Sequence, residues 1–208
     1  MAWTTPATAT AGSTALTAAF WNTNVRDNLN AVGEHILTPT SVAGTGVSLS
    51  GAKVTFSSAT AVSVNGVFSA QYENYRINIS TTASTVSALT HLRMRLAGTD
   101  DATATAYRFS MLQSASAGAW LNLDFSGGAS VINVGYRQTT GRSHSIINVF
   151  GPFQAAPTGF SVLGQYPGTP YTGGGDHNVS TAYDGFSILL SPSGNFTGTL
   201  QVYGYVAS

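Results

Sequence analysis

The chain has 208 residues, with eight Lys and Arg against eight Asp and Glu, no cysteine, and only 8% charged residues beside 43% hydrophobic ones. Zero formal charge and scattered basic residues leave no electrostatic footprint for nucleic acid or anionic lipid, and no apolar run approaches the ~20 residues of a membrane-spanning helix. Without cysteine there is no disulfide, no thiolate metal site and no thiol nucleophile.

A charged fraction about a third of the ~25% usual for globular domains leaves few groups to keep copies of the chain apart. The composition therefore predicts a protein whose surface is covered by other subunits. The opening Met1-Ala2-Trp3-Thr4-Thr5 has neither the basic nor the long apolar region of a secretory signal.

Residues 1–15, rich in Ala, Thr and Pro, have no periodicity and read as an extended arm. One helix follows, from an N-cap at Thr17 to Gly33. Its apolar residues Phe20, Trp21, Val25, Leu29 and Val32 share one face, opposite Asn22, Arg26 and Asn30. Asparagines lower helix propensity, so this segment needs a surface to lie on, either its own domain or a partner.

From about residue 45 the pattern is that of strands. Tyr75, Ile77 and Ile79 alternate with Arg76, Asn78 and Ser80, and Leu92, Met94 and Leu96 with His91, Arg93 and Arg95. Leu121, Leu123 and Phe125 alternate with polar neighbours, as do Ile132, Val134 and Tyr136. Such alternation marks strands with one face buried and one polar.

Further strands are expected near 46–50, 53–57, 60–69, 106–112, 144–150, 159–165, 185–190 and 196–206. Turns are expected at Ala97–Asp101, Ser126-Gly127-Gly128, Gly151-Pro152 and Ser191–Asn195. Eight or more short strands without an intervening helix predict a mainly β protein, an antiparallel β-sandwich of jelly-roll type preceded by the arm and helix. The implied organisation is an arm and docking helix over 1–40, a linker with the first strands over 41–70, and the sandwich over 71–208.

In the last strand Phe196, Gly198, Leu200, Val202, Gly204 and Val206 fall on one face, and Thr197, Thr199, Gln201, Tyr203 and Tyr205 on the other. Tyr203 and Tyr205 are either exposed or meet a neighbouring protomer, where tyrosine is enriched.

The opening Trp3-Thr4-Thr5-Pro6, followed by Ala18-Ala19-Phe20-Trp21-Asn22-Thr23-Asn24-Val25-Arg26-Asp27-Asn28-Leu29, resembles the N-terminal segment of structural proteins of tailed bacteriophages. The stretch Ser187–Tyr205, with Gly194-Asn195-Phe196-Thr197-Gly198, is similar to the closing hairpin of phage jelly-roll domains. The resemblance implies a virion protein, commonly a homotrimer, whose N-terminal part attaches to other phage structural proteins while the β domain projects outward. It carries over no catalytic residue and no cofactor.

The expected role is a tail-associated fibre or receptor-binding protein located on the virion. The alternatives are a capsid decoration or head-fibre protein and, further off, a carbohydrate-binding module or glycan-degrading enzyme. Trp3, Phe20, Trp21, Val25, Leu29 and Val32 are the docking or self-association candidates.

Among residues with chemistry, His35, His91, His144 and His177 form no local zinc-ligand pair. Asp100-Asp101 has turn composition rather than a calcium array. The carboxylates Glu73, Asp124 and Asp184 are scattered, and a glycosidase pair among them cannot be read from sequence. Arg93 and Arg95, with Arg76, suggest either a small cationic patch or an intersubunit pairing with the few carboxylates.

The glycine-rich stretch Thr172-Gly173-Gly174-Gly175-Asp176-His177-Asn178 reads as a long loop continuing from Gln165–Tyr171. Tyr166, Tyr171, Asp176 and His177 are its candidate ligand residues, rings stacking on a host-surface glycan and polar groups fixing its hydroxyls. The plainer reading is a surface loop or one ordered by a neighbouring protomer.

Overall fold

The computed structural model describes residues 33–114 and 120–205, and every element among them is a β-strand. The arm and the expected helix, with Trp3, Phe20, Trp21, Val25, Leu29 and Val32, lie outside the described residues.

The strands are β1 (Glu34–Leu37), β2 (Ser41–Ala43), β3 (Val47–Ser50), β4 (Lys53–Ala59), β5 (Ala61–Asn65), β6 (Asn74–Ser84), β7 (Ala88–Leu96) and β8 (Thr99–Asp100). They continue with β9 (Tyr107–Ser114), β10 (Trp120–Ala129), β11 (Ile132–Arg137), β12 (Ser143–Phe150), β13 (Thr158–Tyr166), β14 (Thr169–His177), β15 (Gly185–Ser191) and β16 (Phe196–Tyr205).

They form two antiparallel sheets. The larger runs β10-β9-β14-β13-β12-β6-β16-β4-β3, with β1 also on β16; the smaller runs β11-β7-β15-β5-β2, with β8 on β7. The period-two pattern explains why they face one another. Along β16 buried and half-buried residues alternate without a break, and Val54, Phe56, Ile77, Val149 and Leu200 of the larger sheet share one core with Val62, Leu92, Met94, Phe186 and Ile188 of the smaller.

Each large apolar side chain removed from water contributes about 1.5–3 kcal/mol. Phe68 links the layers through its ring, 4.6 Å from Tyr75 and 5.7 Å from Phe186. The stretch 41–70 contributes β2 to β5 and the buried Val67 and Phe68, so it belongs to the sandwich itself.

Several segments depart from the expectation: residues 34–37, assigned to the arm and docking helix, form β1 on β16, and the strand expected over 60–69 ends at Asn65. Ser126-Gly127-Gly128, expected as a turn, lies inside β10, where the register against β9 shifts between Phe125 and Ala129; the glycines mark a bulge.

The glycine-rich stretch expected as a loop is β14, paired on both sides in the larger sheet. The physical reason is close approach. A Cβ at Gly175 would stand 2.7 Å from Phe109 Cα, one at Gly173 3.0 Å from Met111 Cα, and one at Gly174 2.8 Å from the Phe160 carbonyl oxygen. The run is glycine because its neighbours β9 and β13 leave no room for side chains.

Candidate functional site

Because 169–177 is a strand, its residues alternate between faces instead of converging on a ligand. Tyr171 and His177 are buried. The Tyr171 hydroxyl donates to the His144 carbonyl oxygen (3.0 Å) and shares a hydrogen bond with Ser145 Oγ (2.6 Å). Tyr166 is half-buried against the rings of Tyr136 and Tyr171. Asp176 is on the outer face, in an ion pair with Arg108. The four glycan candidates are thus not one exposed site, because the tight turn at Pro167-Gly168 replaces the expected loop.

His177 instead closes a polar cluster at one end of the sandwich. Its ring lies edge-on between Tyr107 (4.3 Å) and Tyr183 (5.1 Å), and its Nε2 is 3.3 Å from Asp101 Oδ2. Burial keeps the imidazole below its ordinary pKa despite the nearby carboxylates of Asp101 and Asp176.

Burial alone would raise the Asp101 carboxyl, but hydrogen bonds from Thr103 and Tyr183 outweigh it and hold the pKa low. The Tyr107 hydroxyl, pushed up by burial, donates to the Asp101 carbonyl oxygen (2.8 Å) and accepts from the Met94 amide (2.9 Å). A carboxylate, an imidazole and a phenol meet here, but the imidazole is fully enclosed. The cluster pins the β7–β9 connection to the end of β14.

Beside it is a concavity of about 270 Å³ lined by Leu96, Thr99, Asp100, Asp101, Thr181 and Tyr183. Asp100 is held by Arg95, whose Nε also donates to Asn65 Oδ1 (3.0 Å) and whose Nη1 donates to Ser63 Oγ (3.1 Å) and Ser187 Oγ (2.8 Å). The sequence left Arg93, Arg95 and Arg76 as either one small cationic patch or intersubunit partners of the few carboxylates. They separate: Arg93 donates to the Ser130 carbonyl oxygen (3.1 Å), while Arg76, on the other sheet, pairs with Glu34 (3.2 Å).

The broadest exposed feature is the outer face of the larger sheet. Register aligns Gln201, Asn78, Ile146, Leu163, Thr172 and Leu112 in one row across β16, β6, β12, β13, β14 and β9. Leu163 is 59% exposed, Leu112 43% and Ile146 39%.

The ionic side chains of these six strands on this face are largely neutralised. Arg76 answers Glu34 and lies 5.2 Å over the Tyr205 ring, Arg108 answers Asp176, and His144 is exposed. Tyr205 donates to Glu34 Oε1 (2.7 Å), and burial together with that carboxylate pushes its phenol up to about 12. Tyr203, half-buried, lies on the same face beside Arg76.

A depression of about 280 Å³ with Asn78, Ser80, His144, Ile146, Thr199 and Gln201 on its lining is cut into this surface. Sequence reasoning found Tyr203 and Tyr205 here but missed the apolar row. Ile146 and Leu163 sit at outward positions of their strands, a signal visible only once the register is known.

Among the described residues no group of three or more His, Cys, Asp or Glu could hold a metal ion, and no helix is long and apolar enough to cross a membrane. No protein-family model, no curated protein and no solved structure matches the chain.

Proposed function

We propose that the chain is a structural component of a tailed-phage virion, a homotrimeric tail-associated fibre or receptor-binding protein. Its N-terminal segment docks on the particle and its β domain stands outward. The reading draws on the phage-like motifs at Trp3–Pro6 and Ala18–Leu29 and on the low charge.

The strand order supports it. Strands β4, β16, β6 and β12 on one side and β5, β15, β7 and β11 on the other follow the double Greek key of a jelly roll. Strands β8 to β10 and β13 to β14 are insertions, four of the five widening the larger sheet.

The observation that carries the assembly role is the outer face of that sheet: an exposed Leu112–Leu163–Ile146 row among groups whose charges cancel. Such a surface lies against copies of itself with little desolvation of charge.

Leu163→Arg tests this. Its stability stays within about 0.5 kcal/mol of wild type, since the side chain is mostly exposed, while native mass spectrometry reads a shift from trimer to monomer. A wild-type monomer at micromolar concentration, or a trimer unaffected by Leu163→Arg, overturns the assembly role.

Deleting residues 1–32, which spares β1 and its pairing with β16, leaves a folded domain that no longer enters particles. Cryo-EM of particles carrying the intact chain then places it on the tail; density on the capsid makes it a head decoration protein.

A further inference from the structure

The depression of about 280 Å³ in the outer face of the larger sheet is framed by a grid of six outward side chains. Register sets Gln201 of β16 beside Asn78 of β6, and Asn78 beside Ile146 of β12; two residues along, Thr199 stands beside Ser80, and Ser80 beside His144. All three strands are interior to the sheet, so their backbone groups are spent on pairing and the side chains are what the depression offers.

The neighbouring row on the same strands shows how such side chains can satisfy one another. There Arg76 Nε donates to Asn148 Oδ1 (3.5 Å), Asn148 Nδ2 donates to Ser161 Oγ (3.0 Å), and Arg76 pairs with Glu34 (3.2 Å).

The grid has no such wiring. Asn78, Ser80, His144 and Thr199 make no side-chain hydrogen bond among the described residues. Gln201 accepts at Oε1 from the Tyr203 hydroxyl (3.5 Å), which leaves its amino group to the depression. Asn78 Oδ1 is enclosed without a partner, so the amino end of that amide is the part a ligand meets. No Asp, Glu, Lys or Arg is on the lining, and one wall is apolar, Ile146, 39% exposed.

We propose that this depression binds one neutral pyranose unit of a host-surface glycan. The proposal rests on the receptor-binding reading above and gives that function its site. Sugar hydroxyls both donate and accept, which suits the amino groups of Asn78 and Gln201, the hydroxyls of Ser80 and Thr199 and the imidazole of His144, while a C–H face of the ring packs on Ile146. A charged sugar finds no unanswered counter-charge here, and a peptide strand finds no open sheet edge. Ile146 also ends the apolar row assigned to protomer contact, so the site is at the margin of that contact. A site this small binds weakly, and three copies on one fibre strengthen it by avidity.

Saturation-transfer difference NMR on the full chain tests this, with the methyl glycosides of glucose, galactose, mannose and rhamnose as probes and glucuronic acid as the charged control. At least one neutral glycoside gives a saturable signal in wild type. Asn78→Ala and Gln201→Ala each weaken it about tenfold, the worth of a hydrogen-bonding partner lost. Ser48→Ala, at an outward position of β3 away from the depression, leaves it unchanged.

No signal from any neutral glycoside, a signal from glucuronic acid alone, or binding untouched by both variants overturns the proposal. Should the variants fail to fold, wild-type crystals soaked with the strongest glycoside decide: a sugar ring in the depression supports the site, and a ring elsewhere or none overturns it. The receptor-binding reading fails separately, by density on the capsid; a tail protein that binds none of these sugars keeps that reading and loses this site.

Discussion

Two arginines are buried among the described residues, and their surroundings are opposite. Arg95 lies on the outer side of the smaller sheet beneath the β7–β8 turn, and it reaches Asp100, Asn65, Ser63, Ser187 and the Gly98 carbonyl oxygen. Arg137 lies between the sheets with no acceptor among the described residues. One guanidinium organises a network; the other meets no acceptor among the described residues. Burial alone therefore says nothing about what an ionic group does for a fold, and the number of satisfied donors does.

The largest expected effect contrasts the two directly. Arg95→Met removes the cation that answers Asp100, leaving that carboxylate only the Ser187 hydroxyl (2.7 Å), and destabilises the protein by about 3–5 kcal/mol. Arg137→Met is neutral or stabilising by about 1–4 kcal/mol, since an apolar side chain of similar length replaces an unanswered charge. Urea denaturation of both measures the difference, and equal losses would break the contrast.

Acid sharpens it next. His91 shares the outer side of the smaller sheet with Arg93, and burial first, then that arginine, lowers its pKa to about 4. Because the folded value lies below the unfolded value of about 6.5, the His91 contribution is complete above pH 6.5 and is lost as pH falls toward 4. The loss is on the order of 2 kcal/mol, after discounting for partial exposure. His91→Gln should flatten the urea midpoint across that window.

Tyr171→Phe has the smallest effect. Removing the hydroxyl leaves Ser145 unpartnered inside the protein and costs about 1–2 kcal/mol by the same assay. A loss well beyond that would mean that the phenol also holds the Arg137 guanidinium, and the contrast with Arg95 would narrow.

Much of the β architecture was legible in the sequence because alternation is a local signal. The faces of β16, with Phe196, Leu200 and Val202 inward and Tyr203 and Tyr205 outward, follow from period two alone. β14 was hidden for the converse reason: three glycines carry no side chains to alternate, and the crowding that demands them comes from Phe109, Met111 and Phe160, far away in sequence.

Little of the candidate site was legible. Asp176 and Arg108 are 68 residues apart, and the Leu112–Leu163–Ile146 row exists only through the register of four strands. Arg137 follows Gly135-Tyr136 at a strand end, where a charged residue ordinarily reaches solvent, and nothing local says that the larger sheet covers it.

The position of β16 has a consequence for biogenesis. It is the last of these strands to leave the ribosome, yet it lies between β6 and β4 and holds β1 as well. Until it emerges, β4 and β6 present unpaired edges rich in Val, Ile and Phe, the kind of surface that nascent chains lose to aggregation or to exchange between neighbours. Closure of the larger sheet therefore waits for β16, and until it arrives both edges stay open.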